Sequence, residues 1–320
     1  MLVPSPNLLW ALACLFGILA LGTVVRIAAL RGRPDDKSRS HLNSIRTWWA
    51  LASLLAPAVL LGHIGVAILL AVVGILALRE YMEIIGWKRV GRPTAFVVFA
   101  IVPVYYSLLW FGFAELMRSL APVAIMIALG AIRASLGLVE DYIRTTAGLV
   151  WGVMLFVYGL SHAYLLLALP ALPDPWVGNL GWFLYLVLLT ETNDISQALI
   201  GRPFGRTKLT PRISPNKSLE GLMGGLLVTT ILAVLLAPWL TSFMQGTRST
   251  GVLLSVLSGF LIATFGFLGD LNKSGIKRDV GIKDSGTILP GQGGMMDRVD
   301  SLTFSAPIFY YFLQAMLFIN

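Results

Sequence analysis

Apolar runs long enough to cross a bilayer recur along almost the whole chain, which leaves few architectures open to it. A helix rises about 1.5 Å per residue, so about 20 apolar residues cover the roughly 30 Å of hydrocarbon. Runs near 8–30, 46–62, 65–84, 94–111, 119–137, 146–169, 176–200, 221–243, 250–271 and 301–319 predict an all-α polytopic membrane protein with about ten transmembrane helices. Only Gly62, His63, Ile64 and Gly65 separate the second and third runs, which read either as a tight helical hairpin or as one broken span. The first run has no Lys or Arg ahead of it and continues to Arg26, which suits a retained helix better than a signal peptide. With 57% apolar and 12% charged residues, the chain falls outside the soluble globular range. Cys14 is the one cysteine, so an intrachain disulfide and a thiolate zinc cluster are both excluded.

The basic residues test this span pattern, because loops on the cytoplasmic side collect Lys and Arg. With ten spans and the N-terminus outside, the inward segments hold Arg26 to Arg46, Arg79 to Arg92, Arg133, Arg144, the five cations from Arg202 to Lys217 and the five from Lys273 to Arg298. Of 24 cations, Arg118 and Arg248 alone fall on the other side. The net charge of +8 is therefore read as topology and attraction to anionic lipid. No basic and aromatic nucleic-acid module is present. The two longest later polar segments, 201–220 and 272–300, share the inward face, and function is expected there.

Residues 269–301 concentrate five Asp and five Lys or Arg between two apolar runs. Asp270, Ser274, Lys277, Gly281 and Asp284 recur at offsets of 4, 7, 11 and 14, the spacing of one helical face. Gly275 and Gly281 leave the continuity of that helix open. Pro290 to Gly294 form a glycine-rich loop whose backbone amides are expected to be free for phosphate oxygens, and Asp297, Arg298, Asp300 and Ser301 open the last span. Carboxylates, cations and glycine-rich backbone together suit a magnesium-bound polyphosphate. The competing reading is a solvated loop whose cations only set topology. A second constellation begins with Glu191, Asn193, Asp194 and Gln197 at the end of an apolar run, where charge is costly unless it faces a cavity or a partner. It continues through Ser214, Pro215, Lys217, Ser218 and Glu220. A helix start is expected at Ser214, with Ser218 as the other choice. Lys217 is the better functional candidate, and Ser214 and Ser218 are read equally as ligand groups or as parts of a capped turn. Arg79, Glu80 and Glu83 are read as pairing within the protein or with headgroups. Gly221 and Gly225 are read as helix packing.

Ser274, Ile276, Lys277, Arg278, Lys283, Asp284, Gly286, Leu289, Pro290, Gly293, Gly294, Asp297, Arg298 and Asp300 resemble the signature of CDP-diacylglycerol synthases, also called phosphatidate cytidylyltransferases. Gly269 to Leu271 and the Ser214 to Gly221 segment look like two other blocks of that family, in the same order. The resemblance covers about 193–301; the earlier spans agree only in hydrophobic character. It implies a membrane enzyme that joins phosphatidate to CTP, giving CDP-diacylglycerol and pyrophosphate, with Mg2+ and in some members a second, potassium-like cation. By position, Asp270 and Asp297 would be the metal carboxylates, and Asp270, Lys277, Asp284 and Asp297 the catalytic set. Asp194, Ser214, Lys217, Ser274, Arg278, Lys283, Gly293, Gly294, Arg298 and Asp300 would bind substrate.

Gln292 stands where the family usually has His, Lys273 where bacterial members commonly have Glu, and Gln197 with Ala198 where Ala and Tyr are usual. These departures raise an alternative, a paralogue that binds nucleotide or lipid phosphate without turnover or acts on another lipid phosphate. The expected partners are CTP, phosphatidate or a related lipid phosphate, membrane lipids and a second copy of the chain as a homodimer, with no nucleic acid. The expected organisation is an N-terminal group of spans over 1–170 and a C-terminal catalytic region over 171–320, in a bacterial inner membrane with the active site on the cytoplasmic side.

Overall fold

The computed structural model describes residues 6–30, 36–169, 177–282, 285–286 and 293–319. In chain order the helices are α1 (Pro6–Leu30), α2 (Asp36–Leu60), α3 (Gly62–Ile85), α4 (Trp87–Val90), α5 (Arg92–Trp110) and α6 (Ala114–Ser135). α7 (Tyr142–Val153) passes through a π-helical stretch, Met154–Gly159, into α8 (Leu160–Leu165). α9 (Leu180–Phe204), α10 (Leu219–Leu240), α11 (Arg248–Asp279) and α12 (Met296–Ile319) complete the set.

The protein is an all-α polytopic membrane protein. Among the described residues seven helical segments are long and apolar enough to cross a membrane by length and composition, which does not confirm the count of ten: α1, α3, α5, α6, the rod Tyr142–Ala168, α10 and α11. α2 contributes a shorter apolar helix, Ile45–Leu60. α9 is interrupted by Glu191, Asn193, Asp194 and Gln197, which lower its hydropathy where the functional cluster begins. Between α2 and α3 the chain reverses at Leu61 and Gly62, the latter at φ 66°, and the two helices pack on one another. Gly65 lies so close to the Ala58 carbonyl that a methyl group there would collide with it. Residues 46–84 therefore form the helical hairpin rather than one broken span.

α9 is the central element of the C-terminal half, packed by α10, α11 and α12. Its first turns are apolar on every side because every side is covered: Trp182, Phe183 and Tyr185 are fully buried, and Phe309 of α12 stacks near Trp182 and Tyr185 with ring centres 6.1 and 5.7 Å apart. Helices in lipid gain little from burying apolar surface on one another, so their contacts rely on small residues and interhelical hydrogen bonds. Both are present. Gly221 and Gly225 of α10 lie against Gln197 and Asn193 of α9, and Thr190 and Ser305 share a hydroxyl hydrogen bond of 3.1 Å between α9 and α12.

α11 has 32 residues and would extend about 48 Å, well beyond the hydrocarbon thickness. At that length at least one end stands outside the hydrocarbon, and the charged last turns, from Asp270 to Asp279, suit that position. Gly275 does not break the helix; Gly281 follows its end at φ 73°.

Between α9 and α10 lies an antiparallel pair, β1 (Lys208–Thr210) and β2 (Ser214–Ser218), the one sheet among the described residues of an otherwise helical protein. This corrects the helix start expected at Ser214. Ser214 is in the strand, and the helix begins at Leu219 with Ser218 as its cap, whose Oγ accepts the Gly221 N–H at 3.2 Å. Pro215 fits because a short exposed ribbon can lack one backbone donor. Glu220 fixes the ribbon to α10 by accepting the backbone N–H groups of Arg206 and Thr207, both at 3.0 Å. Ser218→Ala removes the cap and is expected to cost about 1 kcal/mol, read as a lowered unfolding midpoint.

Candidate active site

Four pieces of chain far apart in sequence converge at one end of the C-terminal bundle: the second half of α9, strand β2, the last turns of α11 and the start of α12. They line a cavity of about 530 Å³ whose walls include Asp194, Gln197, Lys217, Asp270, Lys273, Asp297, Arg298 and Asp300. Arg202 and Lys208, both exposed, also face it.

Helical spacing accounts for most of this convergence. Asp270, Lys273 and Lys277 fall on one face of α11 at offsets of 3 and 7, and Asp297 and Asp300 share a face of α12. The two helices can approach because position 269 is glycine; a methyl group there would collide with the Asp300 carbonyl. At the centre is the Lys273 ammonium. It bonds Asp270 Oδ1 at 2.9 Å, lies 3.5 Å from Asp297 Oδ1 and pairs with Asp300 Oδ2. Lys217 reaches across from β2 to Asp270 Oδ2 at 2.5 Å and to Gln197 Oε1 at 2.9 Å, with its ammonium 5.3 Å from the centre of the Phe267 ring. Lys277 donates to Asp297 Oδ1 at 2.8 Å, while Ser285 Oγ and the Gly294 N–H reach Asp297 Oδ2 at 2.8 and 3.2 Å. Asp194 Oδ2 accepts from Ser301 Oγ at 2.8 Å, and its buried Oδ1 has no hydrogen-bond partner among the described residues.

Asp194, Lys217, Asp270, Lys277, Asp297, Arg298 and Asp300 thus belong to one assembly, as the sequence suggested, and Lys273 is its hub. Other expected residues stand elsewhere. Ser274 is half-buried and does not line the cavity. Arg278 is turned to backbone, with Nε donating to the Ile213 carbonyl at 3.1 Å, so it fastens α11 to the ribbon. Ser214 lines the cavity from the strand. The expectation of free amides at Gly293 and Gly294 is corrected at Gly294, whose N–H is taken by Asp297. Gly293, at φ 84°, lies so close to Asp297 Oδ2 that a side chain there would displace the carboxylate. Lys283, Asp284 and Gln292 lie outside the described residues.

Sequence reasoning read Glu80 as pairing within the protein or with headgroups, and missed that its partner is the start of α12 beside the site. Glu80 sits near the end of α3, only 2% exposed, and its two carboxylate oxygens accept the backbone N–H groups of Met295 and Met296, both at 2.8 Å. Those amides are unpaired donors at the start of α12, where the helix dipole also favours an anion. Glu80 therefore caps, from a distant helix, the turn that presents Asp297. Gly286 and Gly294 press against the same carboxylate. The only local signal was an acid inside a mostly apolar run. Its neighbours Arg79 and Glu83 form an exposed pair, 3.5 Å apart, and have no such role.

No group of three or more His, Cys, Asp or Glu among the described residues is arranged to hold a metal unaided. Asp270 and Asp297 supply hard oxygen ligands, and Asp194 Oδ1 is a buried carboxylate oxygen with spare capacity on the same cavity wall. Carboxylate oxygens are the donor type magnesium takes, one or two from the protein with phosphate oxygens and water completing the shell, but Asp270 faces Lys217 and Lys273 and Asp297 faces Lys277 and Lys273, so a magnesium ion there would have to displace an ammonium group. The donor set does not fit an additional monovalent cation among Asp270, Asp297 and Asp300, because the Lys273 ammonium is already there.

Comparison with known proteins gives the family of the chain. Escherichia coli (strain K12) has a similar protein, "Uncharacterized protein YnbB", 36% identical over 309 residues, covering 95% of this chain and 97% of that one. The phosphatidate cytidylyltransferase of Haemophilus influenzae is 41% identical over 140 residues, covering 43% of this chain and 47% of that protein. The phosphatidate cytidylyltransferase of Staphylococcus haemolyticus is 40% identical over 138 residues, 43% of this chain and 51% of that protein. The matches to these two enzymes thus span about half of their length. The model of the cytidylyltransferase family matches residues 43–316, nearly the whole chain and all of the converging elements, and the chain belongs to that family.

Proposed function

We propose that the protein transfers a cytidylyl group from CTP to phosphatidate or a close lipid phosphate, at the cytoplasmic face of a bacterial inner membrane. The products are CDP-diacylglycerol, or its analogue, and pyrophosphate. One observation carries this reading: Asp270 and Asp297, from different helices, approach the same nitrogen at the wall of a cavity edged by further cations. The cavity has the size of a small-molecule site. The orientation is supported by the cations that line the cavity, Arg202, Lys208, Lys217, Lys273 and Arg298, because loops on the cytoplasmic side collect Lys and Arg. Arg118, one of the two cations expected on the other side, is held by Tyr310 Oη and Gln314 Oε1, both at 2.8 Å.

In the proposed reaction a non-bridging oxygen of the lipid phosphate attacks the α-phosphorus of CTP. The new P–O bond forms as the bond from that phosphorus to the bridging oxygen of the β-phosphate breaks, and pyrophosphate leaves with the electron pair. The attacking oxygen is already ionised at neutral pH, so no side chain need remove a proton. Asp270 and Asp297 would hold magnesium, which when bound polarises the phosphoryl group and offsets charge on the leaving pyrophosphate. Lys217 and Arg298 both line the cavity and would orient phosphate oxygens. Lys277 keeps Asp297 ionised and aimed. The purified protein with magnesium, CTP and phosphatidate is expected to release pyrophosphate in a lipid-dependent manner. No release with any of a panel of lipid phosphates would overturn the proposal.

A second reading, a binding protein without turnover, is favoured by Lys273, which places a fixed positive charge between the two proposed metal carboxylates. It predicts retention of labelled CTP with no pyrophosphate formed.

A further inference from the structure

Three carboxylates from α11 and α12 surround the ammonium of Lys273, which is 9% exposed. Buried carboxylates this close cannot all stay ionised unless a cation stands between them. Lys217 and Lys277 also reach Asp270 and Asp297, whereas Asp300, 4% exposed, is paired with Lys273 itself. An ammonium group and a monovalent metal ion carry the same charge and seek the same oxygen donors, so they compete for one position.

From this geometry we propose that Lys273 is a tethered monovalent cation, occupying among Asp270, Asp297 and Asp300 the position that a free ion of the potassium class would need. The cluster is then assembled without any such ion. The proposal rests on the arrangement of charges, and its principal test does not depend on the transferase reading.

Thermal unfolding of the full-length protein in detergent, in potassium, sodium or choline chloride at equal ionic strength, provides that test. The wild-type midpoint is expected to be the same in all three. Lys273→Ala leaves an acidic hole. Its midpoint should fall on the order of 5 °C in choline and recover, saturably, with potassium or methylammonium. Lys273→Met fills the hole with a neutral chain, so its midpoint should fall without recovery. An Ala variant equally stable in choline and potassium overturns the proposal. So does a wild-type midpoint that rises saturably with potassium, and that measurement decides the matter even if neither variant folds. Because these readouts need no turnover, failure of the transferase assay leaves the proposal standing, and its own failure leaves the transferase reading intact.

Discussion

Asp297→Asn is expected to reduce CTP- and phosphatidate-dependent pyrophosphate release by about a hundredfold to a thousandfold, the range for removing one group that stabilises charge in a transition state. The fold should survive, because Asn has the shape of Asp and its carbonyl can still accept from Lys277, which lies 2.8 Å from Asp297 Oδ1. On the other oxygen an amide would face the Ser285 hydroxyl and the Gly294 N–H, so at least one hydrogen bond is lost there, costing about 1 kcal/mol. The charge removed is the one proposed to hold magnesium against a triphosphate, so activity should fall far more than stability. Asp279→Asn is the control. Asp279 ends α11, the helix that carries Asp270, but forms an exposed ion pair with Arg144, and a surface pair of this kind contributes little. Initial rates and melting midpoints of both variants, measured side by side, check the prediction. A rate for Asp297→Asn within tenfold of wild type would remove Asp297 from the catalytic centre.

The parts of this site legible in the sequence were those encoded by periodicity. Asp270 and Lys277 on one helical face, and Asp297 and Asp300 on another, follow from spacing alone, and long apolar runs predicted the helices that carry them. What could not be read was where a group's hydrogen bonds go. Gly294 belongs to a loop that sequence reasoning left free for phosphate, yet its amide serves Asp297, and Arg278 serves a backbone carbonyl rather than the cavity. Ser214 and Ser218 both precede helix-compatible residues, and the choice between them turned on pairing across a short ribbon, which depends on the Lys208 to Thr210 segment. The departure at Lys273 was visible as a residue type, but its role depends on two helices meeting, and the glycine that lets them meet gives no sign of which partner it faces. Among the described residues α9 does not satisfy membrane-span criteria for a related reason: it exchanges apolar residues for the polar ones that the site uses.

Glu80 is the clearest case of a residue whose importance lies entirely in the fold, and its replacement should have the second largest effect. Two buried backbone N–H groups depend on its carboxylate, and a buried donor left without an acceptor costs about 1–3 kcal/mol. Glu80→Ala should therefore destabilise the protein by on the order of 3 kcal/mol. Glu80→Gln keeps one carbonyl acceptor but turns an amide toward the other N–H, so it should lose less. The activity loss is expected to exceed what the stability change explains, because Met296 is the residue immediately before Asp297. A shift of about 1 Å in a positioning element can cost a hundredfold in rate. Three readouts separate positioning from simple destabilisation: hydrogen exchange at the Met295 and Met296 amides, kcat at saturating CTP, and the KM for CTP. Positioning predicts faster exchange at those two amides together with a lower kcat at a temperature where both variants remain folded. Unchanged protection at the two amides would show that Glu80 does not hold the start of α12, and a loss of activity that vanished on cooling to equal folded fractions would reduce its role to stability alone.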